Sequence, residues 1–531
     1  MIERAIENWL TRTNERNYKT AFVQVLAHQG YQVLTVPADG PMEQGKDLIT
    51  IDPNGRPCGF QLKTGALDLA TWRKYRDEMM ELIQLPIYHP AIDKKVLHRA
   101  VLVTNGEMTN EVRVQIDQIN EDNLAKARGY AQLDVLTLQP LLKDFIEAQG
   151  TFIPRELNDL RAFLEIYQAD GSDFFPMDKY VVLVDRVLLV ANDRPSDLKN
   201  AVASSLVFTS YLLHPFQLRA NHFAAFEAWT ALGASILQLA LHRELRADLW
   251  RSSFDLVKAE MARNLLALRS EALQRPDFLE GDWLGDGGSM HSARALITLG
   301  ASAAITSHLR RKGLEDEDAA ALIASLRSNE KYLRQLWGES TFPFVFHIVK
   351  VMESFEESAA ALGLLTHLFE AVVDGYSREG PTSPPNLYFR PAEAVAAAYG
   401  LVDKDLDLRQ FSGQSMILRS LLEMLARRDQ RELVSKHWRK ASRILFHEFS
   451  PDKPEDLFAW RTEAGQDLEA WPDQTQSWQR LQEQSRDLTA IPPFYTEHAD
   501  FLSFLILAYT HRCTSGVIRV LDSPDRTTRE K

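Results

Sequence analysis

The stretch GKDLITIDPNGRPCGFQLKTG, Gly45–Gly65, decides the fold prediction for the first part of the chain. Its two halves, DLITI and CGFQLK, are mostly apolar and flank the turn-forming residues PNG. Apolar runs on either side of such a cluster are typical of a β-hairpin. Asp47 begins the first strand and Lys63 ends the second, so the hairpin predicts an acid and a lysine near one end of a sheet.

The alternation of side chains along a strand predicts which residues of this hairpin face a cleft. Gln61 and Lys63 share one face, while Phe60 and Leu62 share the other and turn toward the core. A two-residue turn would pair Asp47 with Leu62, on the wrong face. A longer loop or a bulge would bring Asp47 to the face of Gln61 and Lys63. We therefore expect one of these two adjustments.

The hairpin lies within an alternation of helical and strand patterns that covers residues 1–150. Apolar residues recur at helical spacing or in short strand-like runs, and several runs end at glycine. The predicted order is a helix over 17–30, a strand over 31–36, the hairpin, a helix over 69–85, strands over 99–105 and 133–138, and a helix over 139–150. This order predicts an α/β domain.

The pattern changes after residue 150. Residues 151–195 form a predicted connector, in which YVVLVDRVLLV fits either a strand or a helix. Residues 196–531 repeat apolar positions at spacings of three and four, which predicts an all-helical region. The loops EGDWLGDGGSM and SREGPTSPPNLYFRP could divide this region into two subdomains.

Composition limits the protein's class. The chain has 531 residues and a net charge of −13, which argues against a surface coated with basic residues but leaves room for a local basic cleft. No run is apolar enough to suggest a membrane span, and the N-terminus lacks a secretory apolar segment, so a cytoplasmic protein is expected. Cys58 and Cys513 are expected to be reduced, structural thiols.

The first 150 residues resemble a known superfamily. The order of a helix, a strand that begins GYQV, then GKD and FQLK resembles the PD-(D/E)XK, or restriction-endonuclease-like, superfamily. The closest likeness is its Mrr-like branch, whose motif D…QxK is matched by Asp47, Gln61 and Lys63. The resemblance also implies an acid on the first helix, for which Glu15 is the candidate.

The resemblance implies a metal-dependent phosphodiesterase centre. Mg²⁺, with Mn²⁺ as a substitute, would take oxygen ligands from Asp47, Gln61, Glu15 and the backbone carbonyl of Leu62. Lys63 would hold and help to deprotonate the attacking water, or neutralise charge on the scissile phosphate.

Residues next to this centre could contact a nucleic-acid backbone, since phosphate contacts come mainly from cations, hydroxyls and backbone amides. Thr64 follows the lysine directly. The helix that comes next carries Trp72, Arg73, Lys74 and Arg76. The alternative is an ordinary surface helix of mixed charge, because two acids follow immediately.

The resulting prediction is a metal-dependent endonuclease, with DNA preferred over RNA, acting in restriction or phage defence. The helical region would sense a trigger, assemble homo-oligomers, or bind a partner protein such as a separate ATPase. Two alternatives stay open. The first is a catalytically inactive endonuclease fold that binds nucleic acid or a partner. The second is a helical adaptor on which the front domain is only a scaffold.

Overall fold

The computed structural model describes most of the chain, and every structural statement below concerns this part. The described residues are 2–35, 46–93, 95–127, 129–148, 157–190, 194–275, 289–334, 338–377, 386–391, 393–394, 413–461 and 465–523. The chain divides into two compact units, which are described separately. The first comprises Met1–Asn221 and Leu245–Val257, and the second comprises His222–Glu244 and Lys258–Lys531.

The first unit is built around a mixed five-stranded sheet. Its strands lie in the order in which they occur in the chain: β1 (Gln32–Thr35), β2 (Leu48–Ile51), β3 (Pro57–Lys63), β4 (Arg99–Thr104) and β5 (Leu133–Leu136). β1, β2 and β3 pair antiparallel, and β3, β4 and β5 pair parallel. The predicted α/β character of this part of the chain is confirmed.

Nine helices accompany this sheet within the described part of the first unit. They are α1 (Ile2–Arg12), α2 (Glu15–His28), α3 (Leu69–Gln84), α4 (Asn110–Ala125), α5 (Leu138–Ala148), α6 (Leu157–Tyr167), α7 (Met177–Val190), α8 (Pro195–Leu212) and α9 (His214–Leu218). Three of these helices, α1, α4 and α6, were not predicted from the sequence. Since parallel strands need a crossover, α4 is the element that lets β5 pair parallel with β4. The ambiguous stretch YVVLVDRVLLV is helical, within α7.

Helices cover both faces of the sheet. On one face, Phe22 of α2 meets Phe60 of β3 edge to face, with ring centroids 5.7 Å apart. On the other face, α3 and α4 bury Trp72 and Val112 against Leu102 of β4. Because β3 pairs Gln61 with Leu102, the side chain of Gln61 lies on the α3 face. The site residues of β3 therefore lie under α3.

The first compact unit extends beyond the predicted boundary at residue 150. Helix α8 packs along α2, and Ser204 of α8 donates a hydrogen bond of 3.0 Å to the carbonyl of Ala148. Helices assigned by sequence to a connector and to the helical region thus complete the core of the sheet unit. A composition change does not show which helices pack on the sheet.

The second unit is rich in helices. They are α10 (His222–His242), most of α11 (Arg251–Gln274), α12 (Ser289–Arg311), α13 (Ala319–Ser328), α14 (Glu330–Leu333), α15 (Phe342–Ser354), α16 (Ser358–Ser377), α17 (Leu418–Arg427), α18 (Arg431–Ala441), α19 (Trp478–Arg486), α20 (Pro493–Glu497), α21 (Ala499–Ala508) and α22 (Ser515–Asp522).

The second unit also contains a three-stranded sheet, so the all-helical prediction was wrong in this detail. The strands are β6 (Gln414–Ser415), β7 (Leu445–Ser450) and β8 (Gln466–Ala470), in that order. The sequence prediction ran β7 into the preceding helix, because Phe446 and Phe449, three residues apart, continue the helical spacing. The two loops expected to divide the region lie largely outside the described residues.

Helix α10 is long and apolar enough to cross a membrane by length and composition, contrary to the sequence expectation. It is the one such helix among the described residues, and 89% of its most apolar window is buried inside the protein. Burial of this kind is typical of a core helix in a soluble protein.

Candidate active site at the end of the central hairpin

The turn of the hairpin is longer than two residues. Asp52 and Arg56 close it through a backbone hydrogen bond of 2.9 Å from the N–H of Asp52 to the carbonyl of Arg56. The carboxylate of Asp52 accepts the N–H groups of Asn54 and Arg56 at 2.9 and 2.8 Å. Gly55 takes φ +83°, a left-handed conformation that glycine adopts at little cost. The loop between the closing pair therefore has three residues, as in hairpins with a glycine bulge.

This turn sets the register that brings Asp47 to the required position. The strands pair Leu48 with Phe60, and one step further along this register places Asp47 opposite Gln61. Asp47 is buried, and its Oδ2 accepts the backbone N–H of Leu62 at 2.7 Å. The longer loop expected from the sequence is confirmed, and Asp47 lies beside the strand that carries Gln61 and Lys63.

Gln61 carries an unused hydrogen-bond acceptor. Its side chain is only 6% exposed, and its Oε1 is buried with no hydrogen-bond partner among the described residues. A buried polar atom without a partner costs about 1–3 kcal/mol. An acceptor left open next to a buried carboxylate is suited to a ligand that replaces the missing hydrogen bond.

Lys63 is held by the helix above it. Its Nζ lies 2.7 Å from Oε2 of Glu78 and 4.7 Å from the centre of the Tyr75 ring, both on α3. Burial by itself lowers the pKa of Lys63, but the hydrogen bond to Glu78 and the charges of Glu15, Glu78 and Asp47 outweigh it, and the net pKa is raised. Lys63 therefore stays protonated at neutral pH.

Glu15 is the first residue of α2 and belongs to the same electrostatic cluster. Burial raises its pKa, the Lys63 charge lowers it, and the Asp47 charge raises it further. The pKa of Asp47 is also raised, because burial outweighs the N–H of Leu62 and the nearby charges of Lys19 and Lys63. Lys19 Nζ lies 4.0 Å from Oδ1 of Asp47. Two carboxyls and two ammonium groups thus share a partly desolvated space.

The end of β3 is fixed by contacts from three directions. The Tyr18 hydroxyl of α2 donates to the carbonyl of Lys63 at 2.8 Å. Asn105 accepts the N–H of Gly65 at 2.7 Å and donates to the carbonyls of Leu10 and Thr13 at 2.6 and 3.1 Å. The backbone that carries Lys63 is therefore tied to both α1 and α2. A rigid backbone of this kind keeps the site residues in place.

The structure brings four of the predicted site residues together: Asp47, Gln61, Lys63 and Glu15. Leu62 contributes its N–H to Asp47, and its carbonyl as a ligand stays a prediction. The predicted nucleic-acid contacts are exposed at the end of β3 and on α3, namely Thr64, Arg73, Lys74 and Arg76. The prediction that Trp72 also contacts a nucleic acid was wrong. Trp72 is 1% exposed and belongs to the core, so it cannot reach a nucleic acid.

Sequence reasoning missed the α3 residues that hold the lysine. Glu78 was treated only as evidence for a mixed-charge surface. Its signal was the spacing of Tyr75 and Glu78, three residues apart on α3, which places both on the same helix face. Lys19 was missed as well, although it lies four residues after Glu15, one turn further along α2.

The donor types at the site fit a hard cation. Carboxylate and amide oxygens are the ligands that Mg²⁺ prefers, and the open Oε1 of Gln61 supplies one beside the carboxylates of Asp47 and Glu15. The described part of the chain has no cluster of three or more His, Cys, Asp or Glu side chains arranged to hold a metal. A cation here would therefore depend on the glutamine oxygen as well as on acids.

Comparisons with known proteins do not assign the chain to a group. Neither protein-family models, nor curated proteins, nor solved structures give a significant match. The site's geometry and chemistry therefore carry the functional argument.

Proposed function

We propose that the first unit is a metal-dependent endonuclease with a PD-(D/E)XK-like centre formed by Asp47, Gln61, Lys63 and Glu15. The observation that carries the proposal is the buried, unpartnered Oε1 of Gln61 opposite Asp47. A purely structural hairpin would gain stability from an apolar residue at this position, because the open acceptor costs free energy. The same atom in a cation site would be a ligand.

In this proposal Asp47, Gln61, Glu15 and the carbonyl of Leu62 would hold Mg²⁺, or Mn²⁺ in its place. The cation would polarise the scissile phosphate and lower the pKa of an attacking water. Oδ2 of Asp47 accepts the N–H of Leu62, which fixes the carboxylate, and Oδ1 lies 4.0 Å from Nζ of Lys19. The hairpin therefore orients its acid before any ligand arrives.

The ion pair with Glu78 supports one of the two roles considered for Lys63. Since the pKa of Lys63 is raised, its ammonium group is a poor proton acceptor and a good partner for a phosphate oxygen. We assign Lys63 to charge neutralisation, and Glu15 remains a metal ligand.

DNA is the proposed substrate ahead of RNA, with contacts from Thr64, Arg73, Lys74 and Arg76. The proposal includes cytoplasmic action in restriction or phage defence, with the helical unit gating cleavage through a trigger, homo-oligomers or a partner such as an ATPase. These further parts rest on the resemblance of the D…QxK motif.

The test compares cleavage by the wild-type protein and by Lys63→Ala. Plasmid DNA, linear DNA and total RNA are incubated with Mg²⁺, Mn²⁺ or EDTA. Lys143→Ala is the matched control, because Lys143 is an exposed lysine of the same unit that pairs only loosely with Glu147 of its own helix, at 3.6 Å. Circular dichroism checks that the variants are folded.

We expect divalent-dependent cleavage that Lys63→Ala abolishes and Lys143→Ala retains. Cleavage that survives in Lys63→Ala would show that the centre lies elsewhere. Salt-sensitive binding of DNA without cleavage under any metal would instead favour the inactive binding module. If a variant that neither cleaves nor binds nucleic acid leaves the cellular phenotype unchanged, the helical adaptor is the better description.

A further inference from the structure

The second unit contains a cavity of about 450 Å³ that the proposed nuclease function does not use. It opens between α12 and α15, and residues of α21, α22 and their connections complete its wall. This volume is within the range of pockets that bind small molecules. Its walls combine apolar residues, such as Phe346 and Leu488, with cations and hydroxyl groups.

The lining carries an excess of positive charge. Arg310, Arg311 and Lys350 line the cavity, and Glu353 is the one carboxylate among the lining residues. Glu353 is already neutralised, because its two oxygens lie 2.6 and 2.8 Å from the guanidinium nitrogens of Arg428. In a chain whose net charge is −13, this cavity is a local site of positive charge.

The nearby acids do not offset this excess. Buried Asp522 faces Lys350 at 3.4 Å, Arg427 at 3.2 Å and Arg428 at 2.9 Å, so one negative charge is shared by three positive ones. One carboxylate oxygen of Asp500 lies 2.8 Å from Nζ of Lys312. The other lies 3.6 Å from a guanidinium nitrogen of Arg311. The Arg311 contact is too long for a hydrogen bond.

Two polar atoms of the cavity wall have no hydrogen-bond partner among the described residues. They are Nε of Arg311 and Oγ of Ser307, which lies one helical turn before it on α12. Arg310 forms no ion pair with a described carboxylate, and its guanidinium instead lies 4.7 Å from the centre of the Phe355 ring. Donors that lack a hydrogen bond, on residues that line a cavity, are suited to an anion that enters it.

From these observations we infer that the cavity binds a small phosphorylated molecule. A phosphate group has several acceptor oxygens for the guanidinium groups, the ammonium of Lys350 and the hydroxyls of Ser307 and Ser354. The apolar wall would receive the organic part of the ligand. His347 is a neutral member of this wall: burial lowers its pKa to about 3, and its Nε2 contacts the carbonyl of Ser503 at 2.8 Å. The inference does not rest on the proposed nuclease.

The test measures binding to the full-length protein by titration calorimetry and thermal denaturation. The probes are inorganic phosphate, pyrophosphate, a nucleoside monophosphate and a sugar phosphate, with sulfate and the unphosphorylated nucleoside for comparison at matched ionic strength. The four phosphate probes separate a free phosphate anion from a phosphorylated organic ligand.

The variants are Arg311→Gln and Arg310→Gln. Arg310 is exposed, so its replacement keeps the test valid if Arg311→Gln unfolds. Arg334→Gln is the matched control, an exposed arginine of the second unit that pairs with Glu330 four residues before it and does not line the cavity. We expect at least one phosphate probe to bind, and each cavity variant to weaken it about tenfold, as for loss of one charge-assisted hydrogen bond.

The control variant should bind like the wild type, and binding should weaken as salt is added. Three results would each overturn the inference. These are the absence of binding by every phosphate probe, equal binding of sulfate, and binding that neither cavity variant changes.

Discussion

Replacement of Asn105 by alanine should loosen the backbone that carries the candidate site. Asn105 is 4% exposed and makes three hydrogen bonds, one from the N–H of Gly65 and two to the carbonyls of Leu10 and Thr13. Each such bond contributes a net of about 1 kcal/mol. The free energy of unfolding of the first unit should therefore fall by roughly 3 kcal/mol in Asn105→Ala.

The isosteric variant Asn105→Asp tests whether this position needs a hydrogen-bond donor. It keeps an acceptor for Gly65 but turns a carboxylate oxygen toward the carbonyls of Leu10 and Thr13, where a donor is needed. Burial and these carbonyls should raise the pKa of the new carboxyl in the folded state. Since a raised folded-state pKa favours the protonated form, this variant should lose further stability as the pH rises from about 4 to 7.

The measurement is unfolding in urea, followed by hydrogen-exchange mass spectrometry of peptides from the sheet, so that the first unit is observed separately from the second. Asn8→Ala is the control, because Asn8 is an exposed asparagine on α1. The amide of Gly65 should also exchange faster in Asn105→Ala. A loss no larger than that of Asn8→Ala would refute the claim that Asn105 holds the end of β3.

Three further outcomes are expected. Asp47→Asn should stabilise the first unit at pH 7, because burial raises the pKa of Asp47; its advantage over the wild type should shrink in thermal denaturation as the pH falls and Asp47 is protonated. Glu339→Gln should flatten the pH dependence of the stability of the second unit. Burial raises the pKa of Glu339 to about 7, so the free energy of unfolding of the wild type should fall by up to about 3 kcal/mol between pH 4.5 and pH 8. Urea unfolding at each pH measures this loss. Gly106→Ala should destabilise the first unit by about 1–3 kcal/mol in urea, or more, because the new Cβ would lie 2.2 Å from the carbonyl oxygen of Gly65; unchanged stability would contradict this close approach.

The sequence was most informative where local chemistry determines the structure. The hairpin, the five strands and the helices that begin or end at clear signals followed from apolar spacing and from the PNG turn. The pairing of Gln61 and Lys63 on one face followed from the two-residue period of a strand, which needs no tertiary information. These features were predictable because each depends on residues that are close in sequence.

Features that depend on packing between distant segments were not predictable. Trp72 looked like a surface aromatic among cations, and only the burial of α3 against β4 places it in the core. Glu78 looked like a solvated acid, and only the position of α3 over β3 brings it to Lys63. The packing of α8 on α2 was not predictable for the same reason, because it joins residues far apart in the chain.

The candidate site depends most directly on one turn. A two-residue loop would have paired Asp47 with Leu62 and turned the carboxylate away from Gln61, whereas the three-residue loop with Gly55 at φ +83° shifts the register by one. The hydrogen bond from Leu62 to Asp47 then holds that register at the site itself. The unpartnered oxygen of Gln61 and the nearby carboxylate therefore arise from a single choice of turn, and the helices α2 and α3 add their charges to a site that the hairpin has already placed.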